Sequence, residues 1–309
     1  MLKTLSALIV ALSLLASSTV TQAASDKIAL LYAPTTGLLP SYIAKDQGFF
    51  AKHDLDVDLT LLGTQGSVIS ALVAGSATIG SGTPLQVIQA ADSGIDVVLL
   101  NATNVSPTPT RTGLFARKGS GIAKPQDLIG KKVGVPSLYT FIHVVARRWL
   151  KENGVDYNKV NFAEISFQQM ADALKGGIVD AVDCIDPYYD RVAAVGDLIG
   201  EPDKTLPPGT LTSVYVSTRE WATKNPGALK RFRAALSDAI AFIGDKANDN
   251  AVRDSLGRYT KQPAAIVART PIPRLELPIS PAQIQFFLDL ARDQNLTKNS
   301  LDARKLIIP

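Results

Sequence analysis

The chain has little of what most metal and nucleophilic centres are built from. Its 309 residues hold one cysteine, Cys184, and two histidines, His53 and His143. A single thiol closes no internal disulfide, so the fold rests on its core alone. So few soft ligands leave no transition-metal site in prospect, and no cofactor is expected. There is no Gly-x-Ser-x-Gly elbow, no Gly-Lys-Ser/Thr phosphate loop and no His-Glu-x-x-His pair, which removes the common hydrolase, nucleotide-binding and zinc-protease signatures. Gly80-Ser81-Gly82 supplies two glycines of a dinucleotide fingerprint but neither the third nor the downstream acid. Cys184, in an apolar run, reads as a small buried hydrophobe.

Long apolar runs are also scarce. The one extended example, Leu5 to Ala16, follows Lys3 and precedes a small polar stretch ending at Ala23. That is the layout of a secretory signal peptide over residues 1–23, too short for a membrane anchor. A buried N-terminal helix would need a polar face, which this run lacks. Cleavage is expected near Ala23 or Ala24, and with no cysteine there for lipid attachment the mature protein is expected to be soluble, periplasmic and monomeric.

Concentrated charge is missing as well. The formal net charge is +4, with 4 Lys and Arg against 7 Asp and Glu over residues 24–111, 12 against 12 over 112–217, and 15 against 9 over 218–309. The C-terminal excess, including Lys230, Arg231, Arg233, Lys246, Arg253 and Arg258, alternates with acids and apolar residues at helical spacing, the signature of a solvated helix face. Without a basic patch interleaved with aromatics, no nucleic-acid partner is expected.

What is present is an alternation of strand and helix patterns. Strands are predicted at 27–32, 56–62, 78–79 and 96–100, with helices between them ended by Gly48 and Gly75 or opened by Pro84. A second block begins at Thr112, with strands at 131–135, 160–165 and 179–185, helices over 140–153 and 168–175, and a further strand at 211–217. Beyond Pro226 the chain reads as mainly helical. A mature chain of this length is large for one core, so two lobes are expected. The Pro-rich stretch from Gly200 to Gly209 is the most loop-like segment.

The chemistry gathers at the turns. Thr35-Thr36-Gly37, Gly63-Thr64-Gln65-Gly66-Ser67, Ser81-Gly82-Thr83-Pro84 and Pro136-Ser137-Leu138-Tyr139-Thr140 each join a strand to a helix with small or hydroxyl residues. One such turn is an ordinary helix cap. Four of them, two in each block, point to a shared cleft, because helix N-termini at the carboxyl ends of strands offer free N–H groups to a ligand.

In order along the chain, "GLLPSYIAKDQGFFAKHDLDVDL", "ALVAGSATIGSGTP", "GIAKPQDLIGKKVGVPSLYTFIHVVARRWLKENGV", "ISFQQMADALKGGIVDAVDCIDPYYDR" and "VYVSTREWATKNPGALKRFRAAL" resemble the substrate-binding proteins of the nitrate, sulfonate and taurine class of ABC importers. The resemblance covers nearly all of the mature chain. It implies an α/β fold, the two-lobed type II periplasmic-binding-protein clamshell in which each lobe is a mostly parallel sheet flanked by helices. Lobe I would comprise 25–111 and about 218–309, and lobe II 112–217, with crossings near 104–112 and near Asp186 or Leu211. It also implies a binding protein rather than an enzyme, a small-molecule ligand, and a membrane permease with its ATPase as partners. Carried onto this sequence, the ligand contacts would be Thr35, Thr36, Gln65, Gly66, Ser81, Gly82, Thr83, Ser137, Leu138, Tyr139 and Thr140. Asp186 and Tyr188 join them from Asp186-Pro187-Tyr188, where the family commonly has Glu-Pro.

For the ligand, aromatic residues near these turns (Tyr139, Phe141, Phe167, Tyr188, Tyr189) favour a small organic anion, a sulfonate or a carboxylate, over nitrate. Arg111 is the candidate cation, although a carboxylate-paired arginine is the simpler reading, and His143 reads more simply as a helix histidine. Two alternatives stay open: an exported enzyme using Asp183 and Asp186, and a ligand-sensing domain, including one for a thiamin pyrimidine precursor. The two acids are three apart on a strand, so they point to opposite faces.

Overall fold

A computed structural model describes residues 25–309 except Thr64; the expected signal peptide lies outside the described residues. In chain order the elements are β1 (Asp26–Tyr32), α1 (Leu39–Asp46), α2 (Phe49–Lys52), β2 (Leu55–Leu61), α3 (Val68–Val73), β3 (Ile79–Gly82), α4 (Pro84–Asp92) and β4 (Val97–Val105). The second block holds β5 (Thr112–Arg117), β6 (Lys132–Val135), α5 (Phe141–Glu152), β7 (Asn161–Glu164), α6 (Met170–Lys175), β8 (Ala181–Ile185), α7 (Tyr189–Ala193) and β9 (Gly196–Gly200). The chain then returns through β10 (Leu211–Thr218) to α8 (Arg219–Lys224), α9 (Pro226–Gly244), α10 (Asp249–Thr260), α11 (Ala264–Val267) and α12 (Pro281–Asp293).

These strands make two five-stranded sheets, β2-β1-β3-β10-β4 and β7-β6-β8-β5-β9. β1 runs parallel to β2 and β3, and β6 parallel to β7 and β8. β10 and β5 run antiparallel to their neighbours. They are the first strands after the two crossings between sheets, at 106–111 and 201–210, and each enters its sheet from the cleft side. The expected boundary of the second lobe is therefore corrected: Leu211–Ser217 pairs with β3 and β4 and belongs to the first sheet. The second crossing lies just before Leu211, not at Asp186. β9 replaces what reads in sequence as unassigned chain.

Packing follows the apolar faces. Leu38, Leu39, Tyr42 and Ile43 are fully buried where α1 meets α9 and α10, with Tyr42 stacked on Tyr259 at 4.5 Å and Phe50 on Phe232 at 5.7 Å. β4 is buried along its whole length although it lies at a sheet edge, because the segment before α12 and the last residues of the chain cover it. Ala102 N–H donates to the Leu277 carbonyl at 2.9 Å and Ile308 N–H to the Leu99 carbonyl at 3.0 Å, which closes the exposed ladder. α12 does more than complete lobe I. It packs on α4, and it also reaches the second block, where Gln294 Nε2 donates to the Val144 carbonyl at 2.8 Å and Lys151 pairs with Asp293 at 2.6 Å.

Candidate functional site

Where the sheets face each other, the chain leaves a cavity with an empty volume of about 580 Å³, part of it open to solvent. Its walls come from both lobes and from both crossings. Thr35, Thr36 and Gly37 follow β1; Thr83 follows β3; Asn104, Thr212 and Ser213 come from β4 and β10; Thr108 and Thr110 from the first crossing; Thr112 from the start of β5; and Asp203 from the second crossing. Phe141, Ile142, Phe167 and Ile185 supply the apolar side from the second lobe.

The first wall is built for close approach. Thr35 is extended (φ −120°, ψ 163°) and its hydroxyl makes no capping bond to the turn it precedes, Thr36–Leu38. That turn runs into α1, so its first N–H groups lack intrahelical partners and form the positive end of the helix dipole. A Cβ at Gly37 would lie 2.6 Å from Asn104 Oδ1, so any larger residue must push that side chain aside. Asn104 is itself fixed, because the Thr103 hydroxyl donates to its Oδ1 at 2.8 Å and leaves the amide NH₂ as the free donor. At the third turn, the Thr83 N–H and hydroxyl reach Gln86 Oε1 at 2.9 and 3.3 Å. Among the described residues seven threonines line the cavity, a hydroxyl-rich surface that can donate or accept.

The sequence-predicted residues divide into groups. Thr35, Thr36 and Thr83 line the cavity. Ser81 and Gly82 lie just behind it: Ser81 Oγ accepts from the Ala33 N–H at 2.8 Å, and the Gly82 carbonyl accepts from Ser213 Oγ at 3.4 Å. Gly66, Leu138, Tyr139 and Thr140 line a separate groove on the rim, shared with Gln86 and Gln89, and the backbone of Gln65 begins the turn Gln65–Ser67 beside it. Ser137 and the Leu138 N–H both donate to Glu164 Oε1, at 2.9 and 2.8 Å, so a carboxylate of the protein already occupies the turn before α5. Tyr139 holds a left-handed backbone (φ 59°), its N–H donating to His143 Nδ1 at 2.8 Å.

Asp186 and Tyr188 sit deeper in the joint between lobes. Arg111 donates to both oxygens of the fully buried Asp186 (Nε at 3.1 Å, Nη2 at 2.8 Å) and from Nη1 to Asp190 at 2.7 Å, while its guanidinium lies 4.8 Å from the Tyr189 ring centre. Burial raises the Asp186 carboxyl and the bonds from Arg111 oppose that rise; Arg111 is held above its usual value, chiefly by Asp186. The Tyr188 hydroxyl donates to the Pro34 carbonyl at 3.1 Å across the joint, and its ring stacks on Phe167 at 5.4 Å. The lobes thus touch on both sides of the cavity, since Gln89 Nε2 also donates to the Tyr139 carbonyl at 2.9 Å. His143 is buried among apolar groups, which lowers its pKa to about 3, with Arg147 acting in the same direction. Cys184 is buried and its thiol is pushed up by burial.

Sequence reasoning missed Asn104, Thr212, Ser213 and Asp203 as cavity residues. Their only signal was position, since each sits in or next to a segment that crosses between the lobes. No group of three or more metal-ligating side chains occurs among the described residues.

Two helix-flanked sheets, joined by two crossings and enclosing a polar cavity, define the periplasmic-binding-protein fold. Solved structures agree: the aliphatic sulphonate binding protein SsuA of Escherichia coli superposes with a TM-score of 0.71 at 20% identity over 92% of each chain. The periplasmic nitrate-binding protein NrtA of Synechocystis PCC 6803 gives a TM-score of 0.77 at 16% identity, over 90% of this chain and 84% of that one. The family model described as NMT1/THI5 like matches residues 35–248, and the chain belongs to that family. Among curated relatives, the taurine-binding periplasmic protein of Escherichia coli (strain K12) is 27% identical over 208 residues, 66% of this chain and 63% of that one. The chain spans 61% to 63% of the length of the first curated relatives it matches.

Proposed function

We propose that this protein is the periplasmic solute-binding component of an ABC importer, which captures a small organic acid, a sulfonate or a carboxylate, between its lobes and presents it to a membrane permease and its ATPase. The observation that carries this reading is the cavity itself, walled by both lobes and both crossings within a family whose named relatives bind solutes. An acid group would sit against the Thr36 and Gly37 N–H groups, the Asn104 amide and the surrounding threonine hydroxyls, with its body on Phe141 and Phe167. Helix N-termini and neutral donors can hold an anion without an arginine, and Arg111 is committed to Asp186 and Asp190. Thr35, Thr36 and Thr83 would contact the ligand directly, Ser81 and Gly82 would support them, and the rim residues from Gly66 and Tyr139 would close over the mouth.

The test is mass spectrometry of the small molecule that copurifies from the native periplasm, followed by calorimetric titration into stripped protein. An organic acid bound one to one supports the reading; tight binding of nitrate alone, or chemical turnover of the bound compound, contradicts it.

A further inference from the structure

Among the described residues, the one ionisable group that lines the cavity is an acid. Asp203 lies in the single turn Pro202–Thr205, which packs on β5 and α5, and its side chain borders the cavity. Behind it, Asp183 of β8 is 1% exposed, and its Oδ2 has no hydrogen-bond partner. Asp183 pairs in register with Leu114 of β5, two residues from Thr112, which lines the cavity opposite Ile185.

Most of the charged groups on the surrounding elements have partners other than these two acids. Just before β5, Arg111 is bound to Asp186 and Asp190, and Arg117 lies at the opposite end of the strand with its Nε unpartnered. On α5, His143 is neutral above its lowered pKa, Arg147 lies 4.1 Å from the Tyr157 ring centre, Lys151 pairs with Asp293, and Arg148 pairs with Glu152 and donates from Nη1 to the carbonyl and hydroxyl of Thr205, in the same turn as Asp203, at 3.2 Å. On the turn itself, Lys204 pairs with Glu201. Among the described residues no cation pairs with either carboxyl, and ionising the half-buried Asp203 is opposed by the buried Asp183 behind it. Burial and the neighbouring Asp203 hold Asp183 well above the usual carboxylate range, and burial raises Asp203 to about 7.

We propose that Asp203, backed by Asp183, receives a protonated nitrogen of the ligand, so that the captured solute is an organic acid that also carries an amine or another cationic nitrogen. The deduction rests on the cavity being the ligand site. Its chemistry is a charge exchange. In the empty cleft the acid pair keeps one proton near neutral pH, and arrival of the cation stabilises the second carboxylate and expels that proton to solvent. The cation then supplies the partner that the fold withholds from Asp203, while the acid end of the same molecule takes the hydroxyl and N–H donors opposite.

The experiment is calorimetry at pH 7 with matched probes: propionate against 3-aminopropionate, propanesulfonate against 3-aminopropanesulfonate, and benzoate against 4-(aminomethyl)benzoate. Titrations run in two buffers of different ionisation enthalpy count the protons exchanged. The expected result is that an amine-bearing probe binds at least about tenfold more tightly than its desamino partner, with release of up to about one proton. Asp203→Asn should remove both the preference and the proton release, and Asp203→Glu should restore part of each. If the desamino acids bind as well as the amines and Thr36→Ala weakens them, the role of Asp203 is overturned and the cleft stands. If no probe binds, or if binding ignores Thr36→Ala, the proposal fails together with the site on which it rests.

Discussion

At the scale of single residues, the cleft depends on a few side chains that are small or uncharged. Gly37 is the sharpest case, because an added methyl meets Asn104 Oδ1 at 2.6 Å. Gly37→Ala should push Asn104 out of place, cost about 1 to 3 kcal/mol of stability and weaken the ligand by about tenfold or more, measured by calorimetry on the folded variant. His143 gives a pH prediction. Its pKa is about 3 in the folded protein against about 6.5 in an unfolded chain. The stability it contributes is complete above 6.5 and is lost as pH falls toward 3, since the unfolded state then binds the extra proton. Thermal melts of wild type and His143→Gln should therefore converge as pH drops from 7 to 4; a constant gap would contradict the buried, neutral imidazole. Thr35, Thr36 and Thr83 were legible in sequence because a hydroxyl before a helix is a local signal. Asp203 was not, since nothing in Pro202-Asp203-Lys204 distinguishes a solvated loop acid from one folded under a cleft.

At the scale of elements, the helix and strand pattern was readable nearly throughout, as periodicity and glycine stops are local. The sense of β5 and β10 was not, because the direction of a strand is set by where the chain re-enters its sheet. The same holds for α12, whose apolar face in sequence does not say that it touches both α4 and α5. The joint beside the first crossing is held by Arg111 on the fully buried Asp186 and the half-buried Asp190, the latter also paired with Arg269. Removing one partner of a buried ion pair leaves an uncompensated charge, at about 3 to 5 kcal/mol. Arg111→Met should lower the melting temperature strongly at pH 8 and less at pH 5, where Asp186 can neutralise itself by taking a proton. An equal loss at both pH values would mean that packing, not charge, holds the joint.

At the scale of the whole molecule, the two-lobed plan was legible from length, from the ordered strand and helix blocks, and from the resemblance of several stretches to one family. The cavity was only half legible. Its walls assemble residues as far apart in sequence as Thr35 and Ser213, and the predicted turn before α5 instead holds the carboxylate of Glu164. The lobes are expected to close on the ligand, as Tyr188 to Pro34 and Gln89 to Tyr139 close the joint in the structure described. Small-angle scattering of stripped protein, before and after adding the copurifying compound, tests this closure directly. The radius of gyration should fall on binding, with a loaded curve that fits this closed form; an unchanged radius at saturating ligand would contradict closure.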